Sequence, residues 1–431
     1  MKKISRPEPC HALAASNGRA SATPLPDPRR PTLTSFPSEV VEVIASHLPL
    51  QALAMLRASG RPFASIAKRN VTSHILERRN HLELLLRTSP NLRSLTITDP
   101  EVCDADLQLL ACWQKDRQTG PASLKSRPVG GLNTLRITDA RSITDDGLRL
   151  LGTIRGLTSI NLDLSGCHDI SGVGLARIGH LTGMQELSLR GSHFGGDDLR
   201  PLRTMTQMKS LWLNELEADG LVLFSHLQPL KALEALDIHI VAQPGKLAPD
   251  DRLRFGALAG MKNLRELRFM GDTDGDGESV MDADLMQIGA LSQLTRLTTD
   301  AFGISHHALG HLGRLKNLEH LDLLEAYSST PWTWLENLPR LKCLNLINCG
   351  DNFDVAHLAP LKNVETLTRL KFSYDHHPFD ASLFMHLPLS LEQLDLSGCQ
   401  LSTGDLALLR LPALSTLNLN SCRDHVWPGM E

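Results

Sequence analysis

The chain has 431 residues, enough for one large domain or two or three ordinary ones. A formal net charge of −4 gives no reason to expect nucleic acid or an acidic membrane surface as the main partner. Aromatic residues make up only 4% of the sequence and no apolar run reaches the roughly 18 residues of a bilayer span, so the composition favours a thin, uniform, leucine-built architecture.

The first segment, residues 1–32, begins "MKKISRPEPCHALAASNGRASATPLPDPRR". Two lysines stand there without an apolar stretch behind them, so it is not a secretory signal peptide. It is rich in Ser, Ala, Pro and Arg, poor in acids, and reads as a disordered leader. Organelle transit peptides and bacterial type III export signals share this composition, as do bland tails.

Next comes "LTSFPSEVVEVIASHLPLQALAMLRASGRPFASIA", Leu33 to Ala67. Pro37 suits a helix start, where a missing N–H costs nothing. Val40, Val41, Ile44 and Leu48 recur at helical spacing, and Pro49 ends that helix. Leu53, Leu56, Phe63 and Ile66 continue into two more short helices. Periodicity alone predicts a small helical bundle that caps the rest of the chain, and residues 33–90 read as this bundle plus a linker helix.

From Leu92 the pattern LxxLxL returns through the chain. It opens as "LRSLTI" at Leu92 and "LNTLRI" at Leu132, and closes as "LEQLDL" at Leu391 and "LSTLNL" at Leu414. Most starts are 23 to 27 residues apart, with one gap of 40 and two of 30 or 31. This is the period of a leucine-rich repeat, and about 12–13 copies fill residues 91–431. Side chains alternate along a strand, so the LxL pair shares one face. One repeat cannot bury that face alone; stacked repeats bury a continuous leucine column. The expected fold is an α/β leucine-rich-repeat solenoid, a horseshoe, behind a small all-α N-terminal bundle.

The eight cysteines show no CxxC pair, which argues against zinc and against a disulfide framework. Cys349, Cys399 and Cys422 lie eight residues after the first leucine of their repeats, and Cys167 takes the same place in "LSGCH". That slot points inward, so these are structural residues rather than nucleophiles.

Two motifs imitate chemistry. Asp272, Asp274, Asp276 and Gly277 match the opening of a calcium loop, but the twelfth position, which must supply a bidentate acid, is Ala283. His307 and His311 have i,i+4 spacing but lack the glutamate of HExxH and fall on a repeat's convex helix. No phosphate-binding loop, dinucleotide fingerprint or nucleophile elbow is present. The expectation is a protein without catalytic site, metal or cofactor.

Between the paired leucines, on the inner curve, fall Arg136, Ser188, Trp212, Asp237, Arg268, Thr298, Asp322, Asn345, Lys371, Asp395 and Asn418. Two residues further on are Asn214, His239 and Met270. A varied surface of this kind is a protein-binding face by default. The target-binding candidates are Trp212, Asn214, Asp237, His239, Arg268, Met270 and Asp322.

The segment "FPSEVVEVIASHLPLQAL" resembles the F-box: Phe36-Pro37, Glu39, Ile44, Leu48-Pro49 and Leu53 follow its pattern. Phe36 replaces the usual Leu, and Pro62 stands where Trp or Phe is common, with Phe63 one residue late. The whole chain then resembles F-box/leucine-rich-repeat proteins. The resemblance implies that Phe36, Pro37, Ile44, Leu48, Pro49 and Leu53 meet the Skp-type adaptor of a cullin–RING ubiquitin ligase, while the repeats hold a target protein. Only 13 of the 44 basic residues are lysine, a bias expected of a GC-rich genome. With the acid-poor leader, this resembles F-box effectors that plant-pathogenic bacteria inject by type III secretion, the GALA effectors among them. "FGALAGMKNL" holds that string once without repetition, and Glu8 departs from an acid-free export signal. The expected location is the host cytoplasm or nucleus, with an unknown host protein as target and neither nucleic acid nor membrane as partner. The alternative is a non-enzymatic repeat effector whose N-terminal helices are only a cap. A self-contained ligase is disfavoured, since no catalytic domain follows the last repeat.

Overall fold

The computed structural model describes residues 37, 40, 72–119, 131–190, 194–216, 220–240, 258–270, 282–301, 304–326, 330–348, 355–373, 380–401 and 403–422. Fourteen parallel strands among them form one sheet in unbroken chain order. They are β1 (Ser73–Leu76), β2 (Ser94–Ile97), β3 (Thr134–Ile137), β4 (Ser159–Asp163), β5 (Met184–Ser188), β6 (Ser210–Leu216) and β7 (Ala235–Ile240). Then come β8 (Glu266–Met270), β9 (Arg296–Asp300), β10 (His320–Leu324), β11 (Cys343–Ile347), β12 (Arg369–Ser373), β13 (Gln393–Asp395) and β14 (Thr416–Asn418). Short α- or 3-10 helices return the chain on the other side. This is the leucine-rich-repeat solenoid that the periodicity predicts.

The leucines stack as the LxL pattern requires. Leu211, Leu236, Leu267, Leu297, Leu321, Leu344, Leu370 and Leu394 are paired strand to strand and are at most 2% exposed. Burying one such side chain contributes about 1.5–3 kcal/mol, which is why thin repeats hold together. Leu417, the last of the column among the described residues, is paired there on one side only and is 38% exposed.

The turns after five of the strands are built alike. Asp139, Gly166, Glu325, Gly398 and Ser421 all have positive φ and stand just before Ala140, Cys167, Ala326, Cys399 and Cys422. The left-handed residue swings the next side chain inward. Cys167, Cys399 and Cys422 there donate their thiols to the carbonyls of Ala140, Phe372 and Leu396 in the preceding repeat. The slot thus holds structural cysteines, as the pattern predicts; Cys349 lies outside the described residues.

Neighbouring convex helices are clamped by one device. Ser171 caps the helix Gly172–Ile178, accepting from Val173 N. Its own N–H and hydroxyl donate to both oxygens of Asp145, first residue of the preceding helix Asp145–Gly152. Thr144 stands in the same relation to Asp104, and Ser305 to Asp282. Gly147 and Gly174 make room: a Cβ at either would sit 2.1 Å from the carboxylate of Asp104 or Asp145.

Three expectations are corrected. The pattern over residues 33–90 predicts helix throughout, yet Ser73–Leu76 is a strand paired with β2, with a 3-10 turn and the helix Leu82–Thr88 after it. The sheet therefore has one more strand than the leucine pattern marks. Among the described residues this strand has one neighbour, and "SHIL" buries only Leu76 and leaves Ile75 exposed. The 40-residue gap before Leu132 accommodates the long helix Asp104–Thr119. Arg136 does not share a row with Ser188: it aligns with Asn161 and then Glu186, while Ser188 aligns with Asp163. Asn214, expected beside His239 and Met270, lies at a second register shift, between Leu213 and Leu216, while His239 pairs with Met270.

Candidate functional site: the sheet face

The side chains between the buried leucines stand on the open face of the sheet. From β5 onward they form the row Ser188, Trp212, Asp237, Arg268, Thr298, Asp322, Asn345, Lys371, Asp395 and Asn418, in strand-to-strand register. One residue pair earlier runs a second row, with Glu266, Arg296, His320, Cys343 and Arg369 on consecutive strands.

Many of these groups bond one another. Asp322 accepts from Thr298 Oγ1 at 2.8 Å and from Asn345 Nδ2 at 2.6 Å, so both its oxygens are used across three strands. Asp395 and Asn418 accept from the backbone N–H of Ser397 and Asn420 and fasten their own turns. Burial works against the charged form of Asp395, but its bonds with Ser397 and Asn418 hold the carboxyl below its ordinary value. Ser188 shares a hydrogen bond with Ser165, which donates to Asp163.

Trp212 is half-buried on β6 and has a hollow on each side. One, of about 280 Å³, reaches from Trp212 through Asp237, Arg268 and Thr298 to Asn345. The other, of about 290 Å³, reaches back to Arg136 and Asn161. Asp237, 6% exposed, lies at the floor of the first. Its Oδ2 takes a 2.7 Å bond from Arg190 Nη2, and Arg268 Nε is 3.7 Å from Oδ1. Further along, His320 is discouraged from charging, first by burial and then by Arg296 and Arg369. Burial likewise raises the Cys343 thiol pKa.

Of the target-binding candidates, Trp212, Asp237, Arg268 and Asp322 thus line one hollow; Asn214, His239 and Met270 are half-buried nearer the strand ends. Sequence reasoning missed Arg190 and the row through Arg296, His320 and Arg369. Arg190 lies beyond the LxL pattern, and the second row lies on the other side of the first buried leucine of each pair; only the register reveals either. Of the adaptor-binding candidates Pro37 alone is described; it is exposed, and its carbonyl accepts from Val40 N at 3.1 Å in a first turn. Phe36, Ile44, Leu48, Pro49 and Leu53 lie outside the described residues. So do Asp272, Asp274, Asp276 and Gly277, while Ala283 sits in the first turn of the helix Asp282–Ile288.

No protein-family model matches the chain, and no curated protein matches it in sequence. Solved structures do resemble it. An internalin (inlF) from Listeria monocytogenes is 18% identical, with 87% of this chain and 90% of that one covered and a TM-score of 0.50. The Rad7 and Elc1 complex in yeast provides another, 16% identical, with 88% and 92% covered and a TM-score of 0.52. At these identities the likeness is one of fold.

Proposed function

We propose that the chain is a target-binding leucine-rich-repeat protein, and that it serves as the recognition subunit of a cullin–RING ubiquitin ligase. In this reading the sheet face holds the target, residues 33–67 engage a Skp-type adaptor, and the chain has no catalysis of its own. It works in the cytoplasm or nucleus of a host cell after type III export. The observation that carries the binding role is the sheet face, where Trp212 stands between two hollows on a rigid, pre-bonded platform. Interfaces concentrate their energy in such aromatic anchors. The ligase role is supported by the F-box-like residues Pro37, Ile44, Leu48 and Pro49 and by the order of that segment before repeats. A fold neighbour was solved as a two-protein complex, Rad7 with Elc1, which fits a repeat protein that works with a partner.

The test is capture of plant and animal Skp-type adaptors by the full chain, beside the double variant Pro37→Ala, Leu48→Ala. The wild type should capture an adaptor and the variant should not, while its circular dichroism melt stays unchanged because solenoid stability is a sum of neighbour terms. A wild type that captures none, with a variant whose first repeats fray, would make the segment a plain cap and leave a binding solenoid.

A further inference from the structure

We propose that the hollow beside Trp212 binds an extended segment of the target polypeptide through an uncharged backbone N–H, which donates to Asp237 Oδ1 while an adjacent apolar side chain lies on the indole. This rests on the sheet face being the target surface. Asp237 is buried at the floor of the hollow, and its Oδ1 has no hydrogen-bond partner among the described residues. Arg268 Nε, at 3.7 Å from that oxygen, is beyond hydrogen-bond range. Buried acceptors are ordinarily bonded, so this oxygen is the unmet demand of the site.

Charge decides what meets it. Two guanidinium groups, Arg190 and Arg268, already flank the one carboxylate. A third cation would be repelled by both, whereas a neutral N–H adds the missing bond without charge. The other acids of the hollow are engaged: Glu266 with Arg296 at 3.6 Å, and Asp322 with Thr298 and Asn345. The shape agrees. The hollow runs from β6 to β11, and strands lie about 4.8 Å apart, so it is a trough about 24 Å long that suits a chain crossing the strands. Trp212 closes one end with an apolar ring.

The full chain labelled with 5-fluorotryptophan gives a ¹⁹F signal for Trp212, assigned with Trp212→Phe. Three probes are titrated: N-acetyl-leucine N-methylamide, its fully N-methylated analogue without any N–H, and N-acetyl-lysine N-methylamide. The first should move the Trp212 signal saturably. The donor-free analogue should bind about tenfold more weakly, the loss of one hydrogen bond of roughly 1.4 kcal/mol, and the lysine probe no more tightly than the leucine one. Asp237→Leu should erase the preference for the N–H, and the wild-type comparison stands even if that variant does not fold. No response, equal response to the first two probes, or tighter binding of the lysine probe overturns the inference. The probes need no adaptor and no target. Their failure beside a target captured through Trp212 would sink this inference alone, and failed adaptor capture would leave it intact.

Discussion

Arg190 bonds Asp237 at 2.7 Å although 47 residues and a whole strand separate them. The strand between them is β6, which carries Trp212. One ion pair therefore braces three repeats around the indole. Asp237 is nearly buried whereas Arg190 is about half exposed, so the pair has a sheltered end and a wet end.

Removing the wet end exposes the cost of the sheltered one. Arg190→Ala leaves a buried carboxylate with only the distant Arg268, and such groups cost about 1–3 kcal/mol when unpaired. The variant should lose stability of that order in urea unfolding, and Arg190→Lys should restore part of it. An Arg190→Ala midpoint equal to wild type would show that the brace has no weight.

Leu396 is fully buried in the repeat column. Leu396→Ala should cost about 2–5 kcal/mol, as large-to-small core changes do. Leu417→Ala, at the open end of the neighbouring column, should cost much less. Equal effects on denaturant unfolding would contradict the burial described for the last repeats.

Stability should fall on mild acidification. Burial is the leading cause that lowers the pKa of His74, His226, His311 and His320 below the ordinary 6.5. Both ring nitrogens of His226 lack hydrogen-bond partners among the described residues, and its ring is buried. Below about pH 6.5 the unfolded chain binds these protons before the folded one does, so stability drops as pH falls. The drop ends once the folded state is protonated too. Urea midpoints at neutral pH and at about pH 5.5 should differ in that direction, and His226→Gln should reduce the difference.

Calcium should find no tight site at Asp272–Glu278. Ala283 occupies the place of the bidentate acid, and both oxygens of Asp282 are already bonded to Ser305. Calorimetry should register no tight binding; micromolar affinity lost in Asp274→Ala would overturn this.

The repeats were legible because their signal is periodic and redundant: each LxL states the same burial. The inward cysteines were legible for the same reason. The first strand was not, because Ser73–Leu76 has a single buried leucine and, among the described residues, no strand before it. The row position of Arg136 was illegible because three alternating apolar residues, Ile160, Leu162 and Leu164, run through β4 and just past it, and only the pairing shows which of them match each neighbour. Arg190 was out of reach for a third reason: its importance comes from a residue two repeats away, and spacing within one repeat cannot express that.

At β4 the buried apolar frame steps by one residue pair: Leu135 and Ile137 match Ile160 and Leu162, whereas Leu187 matches Leu162. Both side-chain lines run on through it, Arg136 with Asn161, Glu186 and Ser210, and Asp163 with Ser188 and Trp212, but a different one lies between the paired apolar residues on each side. A graft of repeats from elsewhere keeps its side-chain alignment only when both cut points lie on the same side of this fault. A splice across it displaces the transplanted rows by a residue pair while the hydrophobic column still closes. Such a hybrid would fold and yet present a scrambled surface, so foldedness alone is a poor guide when this solenoid is recombined.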